Sequence, residues 1–65
     1  MPIINIAIAK GRSRDQKQTL VREISRVVAQ TLSVDPEKIW IRIDEFEKDN
    51  FAVGGMLMSD RKSST

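Results

Sequence analysis

The sequence predicts an α/β fold made of a single βαβ unit with parallel strands and a short C-terminal hairpin, completed by oligomerisation. Three observations carry this prediction. Two stretches of alternating hydrophobicity, Pro2 to Ala9 and Ile39 to Phe46, flank one long stretch of helical periodicity, Arg14 to Leu32. A strand, a long helix and a second strand in that order give parallel pairing with a right-handed crossover. The chain has 65 residues and no cysteine or histidine, so neither a large core nor a covalent or zinc staple is available to it.

In the first strand Ile4, Ile6 and Ile8 alternate with Asn5, Ala7 and Ala9, the period of an extended segment with one strongly apolar face. Ile3 and the small residues on the opposite side predict that the second face is covered as well. Lys10, Gly11 and Arg12 end the strand. Ser13 followed by Gln16 has the spacing of a helix-starting capping box. Leu20, Val21, Ile24, Val27, Val28 and Leu32 then fall on one helical stripe, with Lys17, Arg22, Glu23, Arg26 and Gln30 around the rest. At ~1.5 Å per residue this helix is roughly 28 Å long, enough to cover a whole strand. Asp35-Pro36 stops it, because the residue before a proline is pushed towards extended geometry.

The second strand places Ile39, Ile41 and Ile43 on one face and Trp40, Arg42 and Asp44 on the other. Glu47 to Asn50 reads as a polar turn. Phe51 to Val53, the Gly54-Gly55 pair and Met56 to Met58 predict a hairpin suited to clipping onto a neighbouring subunit. Ser59 to Thr65 reads as a polar, mobile tail. Residues 1–65 thus make one domain without an internal repeat.

A compact globule of this size gains about 90 kcal/mol from apolar burial and loses about 95 kcal/mol of conformational entropy. The two cancel, so stability has to come from self-association. The open faces and edges of a two-stranded sheet ask for the same thing, and a symmetric homo-oligomer is expected.

Composition also restricts function. With neither Cys nor His, disulfides, zinc–thiolate sites and the common transition-metal sites are excluded, leaving only carboxylate sites for hard ions, and no metal is expected. No apolar run reaches the ~20 residues of a membrane span, so a cytoplasmic protein without a membrane partner is expected. The formal charge is +2, and the isoelectric point is about 9.4. Basic residues Lys10, Arg12 and Arg14 are balanced by Asp44, Glu45, Glu47 and Asp49, so no continuous phosphate-tracking face forms and no nucleic-acid partner is expected. Without histidine or cysteine, the group whose ordinary pKa lies nearest neutrality is the terminal amine, at about 7.7–8.0. An acid–base enzyme built from this chain would use it.

Three segments carry a family resemblance: Pro2 directly after Met1; Gly11-Arg12-Ser13 leading into Asp15-Gln16-Lys17; and Asn50-Phe51-Ala52-Val53-Gly54-Gly55. In this order and spacing they resemble 4-oxalocrotonate tautomerase, a family of the tautomerase superfamily, from Pro2 to about Gly55. The resemblance implies small βαβ subunits assembled as homohexamers, trimers of dimers. It implies removal of Met1 and use of the Pro2 amine as the proton-transfer base. The implied reaction, in aromatic degradation, interconverts enol and conjugated keto forms of small unsaturated 2-hydroxy and 2-oxo acids without a cofactor.

The resemblance further implies that Arg12 binds the substrate's remote carboxylate, as a guanidinium beside a helix N-terminus is suited to do. It implies that Phe51 walls the pocket, although packing in an oligomer core is an equal reading of that residue. Family members carry a second arginine where this chain has Trp40, and the nearest cation is Arg42, two residues on and on the same strand face. Either Arg42 substitutes, or Trp40 supplies an indole N–H and a flat wall; alternatively Trp40 packs an interface and Arg42 pairs with Asp44. Ala9 is smaller than the leucine expected there and implies a roomier pocket. Two other functions stand beside this one. The first is a hydratase or dehalogenase of the same superfamily, which would need a carboxylate to activate water. The second is a non-catalytic oligomeric binding module.

Overall fold

A computed structural model of the chain describes residues 2–61; Met1, with its expected removal, and tail residues 62–65 lie outside the described residues. The elements are β1 (Ile3–Ala9), α1 (Arg14–Leu32), a 3₁₀ turn (Pro36–Lys38), β2 (Trp40–Phe46), a second 3₁₀ turn (Lys48–Asn50), β3 (Ala52–Val53), β4 (Met56–Leu57) and a third 3₁₀ turn (Met58–Asp60). β1 and β2 pair in parallel, from Ile3 opposite Trp40 to Ala9 opposite Phe46. The ladder continues past both ends, where the Trp40 N–H donates to the Pro2 carbonyl at 3.0 Å and the Lys10 N–H to the Phe46 carbonyl at 3.0 Å. The expected βαβ unit is therefore present with its parallel pairing.

α1 starts where its capping box predicts. The Gln16 N–H donates to the Ser13 hydroxyl at 3.1 Å, and the Ser13 N–H donates to the Gln16 side-chain oxygen at 2.9 Å. It ends at Ser33, which adopts the left-handed conformation (φ 56°) and donates its N–H to the Ala29 carbonyl. Asp35 then caps the Pro36–Lys38 turn by accepting the Glu37 N–H at 2.9 Å. Ile4, Ile6, Ile8, Ile39, Ile41 and Ile43 are half-buried, as are Leu20, Val21, Ile24 and Val28 of the helix. These are the faces that α1 and the sheet turn towards each other, and Lys17 ties the helix to the sheet through Glu45 at 3.1 Å.

The opposite sheet face, expected to be covered by a partner subunit, is open in the single chain. Ile3, Asn5, Ala7, Trp40, Arg42 and Asp44 are all exposed, with Ile3 and Trp40 each at 60%. One helix covers one face, and in this chain the other is covered at one end alone, where Phe51 stacks on Phe46 with ring centroids 5.0 Å apart. Val27 and Leu32, assigned to the apolar helical stripe, are likewise exposed at 49% and 55%; they lie at its margin and at its end.

The hairpin forms across Gly54 and Gly55, both at positive φ (61° and 85°), with Val53 opposite Met56. A two-residue loop with left-handed torsions at both positions suits glycine and matches the twist of the strands it joins. Val53, Met56 and Leu57 are exposed in the single chain. At the start of the expected tail, Ser59 and Asp60 fall within the third 3₁₀ turn. That turn is anchored by the Met58 N–H on the Phe51 carbonyl at 2.8 Å and closed by the Arg61 N–H on the Met58 carbonyl at 3.1 Å.

Among the described residues none is buried in the single chain. Its surface is 5255 Å², against roughly 4,200 Å² for a compact monomer of this mass. The radius of gyration is 14.9 Å, where about 11 Å is typical of this length. The extents of 42 × 24 × 16 Å describe a slab one helix and one sheet thick. Among the described residues no helix is long and apolar enough to cross a membrane.

Two outcomes follow from this architecture. On the expectation that association rather than an intrachain core holds the fold, the thermal midpoint rises with subunit concentration; a midpoint constant over a hundredfold dilution series would contradict it. Ser13→Ala, which removes the helix cap, costs about 1 kcal/mol in chemical denaturation at fixed subunit concentration.

Candidate active site

The uncovered sheet face runs from Pro2 to Arg12 and changes character along its length. At its start Pro2 is held beside Trp40 by the Trp40 N–H bond to its carbonyl, and Ile3 faces Trp40 across the pair. In the middle, Asn5 lies opposite Arg42, whose Nε donates to Asp44 Oδ1 at 3.0 Å. The pairing of Arg42 with Asp44, one of the two readings of that cation, is the arrangement in the subunit.

At the far end the chain forms a cleft of about 490 Å³. Ala7, Ala9, Phe46 and Met58 line it, together with the cations Arg12, Lys48 and Arg61. Ala7 and Ala9 put only methyl groups into its lining. Arg12 reaches it because Gly11, at φ 125°, turns the chain sharply after β1. One guanidinium nitrogen, Nη1, donates to the Ala9 carbonyl at 3.3 Å, which orients the group and leaves other donors for a ligand. The N-terminus of α1 follows immediately, and its free N–H groups add to the positive potential.

Phe51 stacks on Phe46 at an interplanar angle of 23°. It therefore sits at the Arg12 end of the sheet. Within one chain the structure brings Arg12 into one cleft with Phe46, on which Phe51 stacks without lining the cleft itself, and separately brings Pro2 close to Trp40. It does not bring these two groups together. At ~3.3 Å per residue, β1 holds Pro2 and the cleft roughly 20 Å apart, far more than a small acid spans.

Phe46, Lys48, Met58 and Arg61 are cleft residues that the sequence reading did not assign to the site. Phe46 was accessible, because it continues the Trp40, Arg42, Asp44 alternation to the end of the strand. Lys48 and Met58 carry no distinguishing signal, and Arg61 lies in the segment read as tail. Among the described residues Arg12, Lys48 and Arg61 have no carboxylate partner, whereas Lys10, Lys17, Arg26 and Arg42 all do. Lys10 pairs with Glu47 at 2.9 Å. That hydrogen bond and its charge, with a smaller contribution from Glu45, raise the Lys10 amine above its ordinary value, against a small opposing effect of desolvation.

The comparisons with known proteins agree with this architecture. The chain matches the family model described as "Tautomerase enzyme" over residues 2–61. It is 39% identical to the "Probable tautomerase" BH3814 of Halalkalibacterium halodurans, covering 94% of this chain and 100% of that protein. It is 41% identical to the 2-hydroxymuconate tautomerase of Pseudomonas putida, covering 91% of this chain and 94% of that one. Among solved structures, YwhB, a homologue of 4-oxalocrotonate tautomerase, superposes with a TM-score of 0.89 at 34% identity, covering 94% of this chain and 100% of that chain. A heterohexamer 4-oxalocrotonate tautomerase from Chloroflexus aurantiacus superposes with a TM-score of 0.88 at 30% identity, over 92% and 97% of the two chains. The chain belongs to the tautomerase family, in the branch of 4-oxalocrotonate tautomerase, and is an isomerase.

The Lys10–Glu47 pair yields a pH-dependent outcome. An amine whose pKa is raised by folding contributes stability below its unfolded value, ordinarily 10.5, and loses it as the pH rises through the folded value. Glu47→Gln is therefore less stable than the parent from neutral pH to about 10, and the difference closes above that range. Denaturation midpoints across the alkaline series measure it.

Proposed function

We propose that the mature chain, with Met1 removed, is a cofactor-independent tautomerase of small unsaturated 2-hydroxy and 2-oxo acids, in which the Pro2 secondary amine transfers the proton. The observation that supports this most is the alignment of a tautomerase family match beginning at Pro2 with an open sheet face that starts at Pro2 and ends in a cationic cleft. Retention of Met1 would make the same nitrogen a non-basic amide.

The reaction needs that amine neutral. At pH 7 an ordinary terminal amine of pKa about 7.8 is roughly 14% neutral; a one-unit fall raises this to about 60%. Apolar neighbours and a nearby cation both act in that direction, since each disfavours a second positive charge. The Pro2 nitrogen takes the proton from the dienol oxygen, the electron pair moves along the conjugated chain, and the same proton returns to carbon. The product is the conjugated keto acid, and the amine ends neutral as it began. Arg12 grips the substrate's remote carboxylate and stabilises the negative charge of the dienolate. Phe51, stacked on Phe46, walls that end of the pocket.

Because Pro2 and the cleft stand roughly 20 Å apart in one subunit, a site that uses both is built where one subunit's Pro2 meets another's cleft. A homohexamer arranged as a trimer of dimers serves this, and the related C. aurantiacus enzyme is by its description a heterohexamer. The ion pair with Asp44 occupies Arg42, so Trp40, beside Pro2, is the better candidate at the reacting end, as an indole donor and flat wall. A hydratase or dehalogenase reaction needs a carboxylate to activate water, and among the described residues the cleft lining contains none.

Intact-mass measurement is expected to find Met1 absent. Absorbance assays with 2-hydroxymuconate or phenylenolpyruvate are expected to show at least a hundredfold lower kcat for Pro2→Ala with the oligomer intact. Undiminished turnover in that variant refutes the proline base. For Arg12→Ala, KM for a dicarboxylate rises about tenfold or more, with a smaller effect on a monoacid; equal losses on both count against the carboxylate role.

A further inference from the structure

We propose that Arg61 is a second guanidinium for the substrate's remote carboxylate, acting beside Arg12, so that this enzyme discriminates in favour of acids charged at both ends. The inference rests on the functional reading above and extends it to a residue at the end of the described chain.

Position is the first argument. Arg61 lines the same cleft as Arg12 although they lie far apart in sequence. A short series of contacts carries it there. Phe46, at the end of β2, stacks on Phe51; the Phe51 carbonyl accepts the Met58 N–H at 2.8 Å, and the Met58 carbonyl accepts the Arg61 N–H at 3.1 Å. Each contact is short, and the last closes a 3₁₀ turn, so the backbone of Arg61 is fixed relative to the cleft.

Charge is the second argument. Arg12, Lys48 and Arg61 share the cleft lining with no acidic residue among the described ones. Like charges gathered in one concavity repel, and a fold keeps them together at a cost unless an anion answers them. Lys10 and Arg42, on either side along the sheet, already have carboxylate partners. Of the six described cations without a carboxylate partner, Arg12, Lys48 and Arg61 stand together at the cleft, while Arg14, Arg22 and Lys38 lie on the helix and the turn after it. Geometry gives the third argument. A carboxylate has two oxygens with about four lone-pair directions, enough for two guanidinium groups at once. A carboxylate held by both loses much more on removal of either than a neutral group in the same place.

The source of the anion is a small acid in solution, the competing source being a carboxylate of a neighbouring subunit packed into the cleft. The test separates them. Wild type, Arg61→Ala, Arg61→Lys and, as a control for net charge, Arg22→Ala on the exposed helix surface are compared with 2-hydroxymuconate and phenylenolpyruvate. The same four proteins are titrated calorimetrically with fumarate, which does not react, and weighed by light scattering. Arg61→Ala is expected to lower the ratio of kcat/KM for dicarboxylate over monoacid about tenfold, chiefly through KM, and to weaken fumarate binding comparably. Arg61→Lys recovers part of both, and Arg22→Ala matches wild type. An unchanged ratio with unchanged fumarate binding overturns the proposal, as does a change of oligomer mass in Arg61→Ala, which would make Arg61 an interface cation. Should wild type turn over neither acid, the tautomerase reading fails, while fumarate binding still reports on Arg61.

Discussion

A sheet has two faces, and a chain with one helix covers one of them. That constraint governs the rest of this structure. β1 and β2 turn their isoleucines towards α1, and the reverse face is left with Ile3 and Trp40 exposed at one end and a cleft at the other. No described side chain is fully removed from water, so the hydrophobic gain that offsets chain entropy is incomplete within the subunit. On the proposed reading, association supplies the remainder, and the face left open for a neighbour is where residues at opposite ends of one strand would serve one small substrate.

The distribution of charge follows the same layout. Ion pairs occupy four of the described cations, Lys10 with Glu47, Lys17 with Glu45, Arg26 with Glu23 and Arg42 with Asp44. Apart from the half-buried Lys17–Glu45 pair they are largely exposed, and an exposed pair contributes little to stability. Their effect is instead to remove competing positive charge from the sheet and leave Arg12, Lys48 and Arg61 at the cleft. Arg12 is set there by local geometry, the glycine turn before it and the capped helix after it. Arg61 is set there by a hydrogen-bonded turn resting on an aromatic stack.

Much of this was legible from residue order. The three main elements of the βαβ unit came from periodicities of 2 and 3.6, and both strand boundaries fell within a residue of the observed ones because Lys10-Gly11 and Glu47 interrupt the alternation. Ser13 and Gln16 announced the helix start, and Gly54-Gly55 the hairpin. Trp40 and Arg42 were placed on the correct face by parity alone. The turn at Met58–Asp60 was not legible, because its anchor is the Phe51 carbonyl, and a hydrogen bond across a hairpin leaves no mark in a polar sequence. For the same reason Arg61 passed as tail, and nothing in the residues around Lys48 distinguishes it from an ordinary surface lysine.

Element order, strand faces, helix limits and the need for a partner are thus readable from residue order in this protein, because each rests on interactions between residues a few positions apart or on composition. Folding in three dimensions decided the rest: that Arg12, Phe46 and Arg61 meet at one end of the sheet, that Arg42 is taken by Asp44, and that Pro2 stands a full strand length away. Such facts depend on which parallel register the strands adopt and on the fixed rise of an extended chain. Those quantities act between residues distant in sequence, where neither hydrophobic period nor capping pattern reaches.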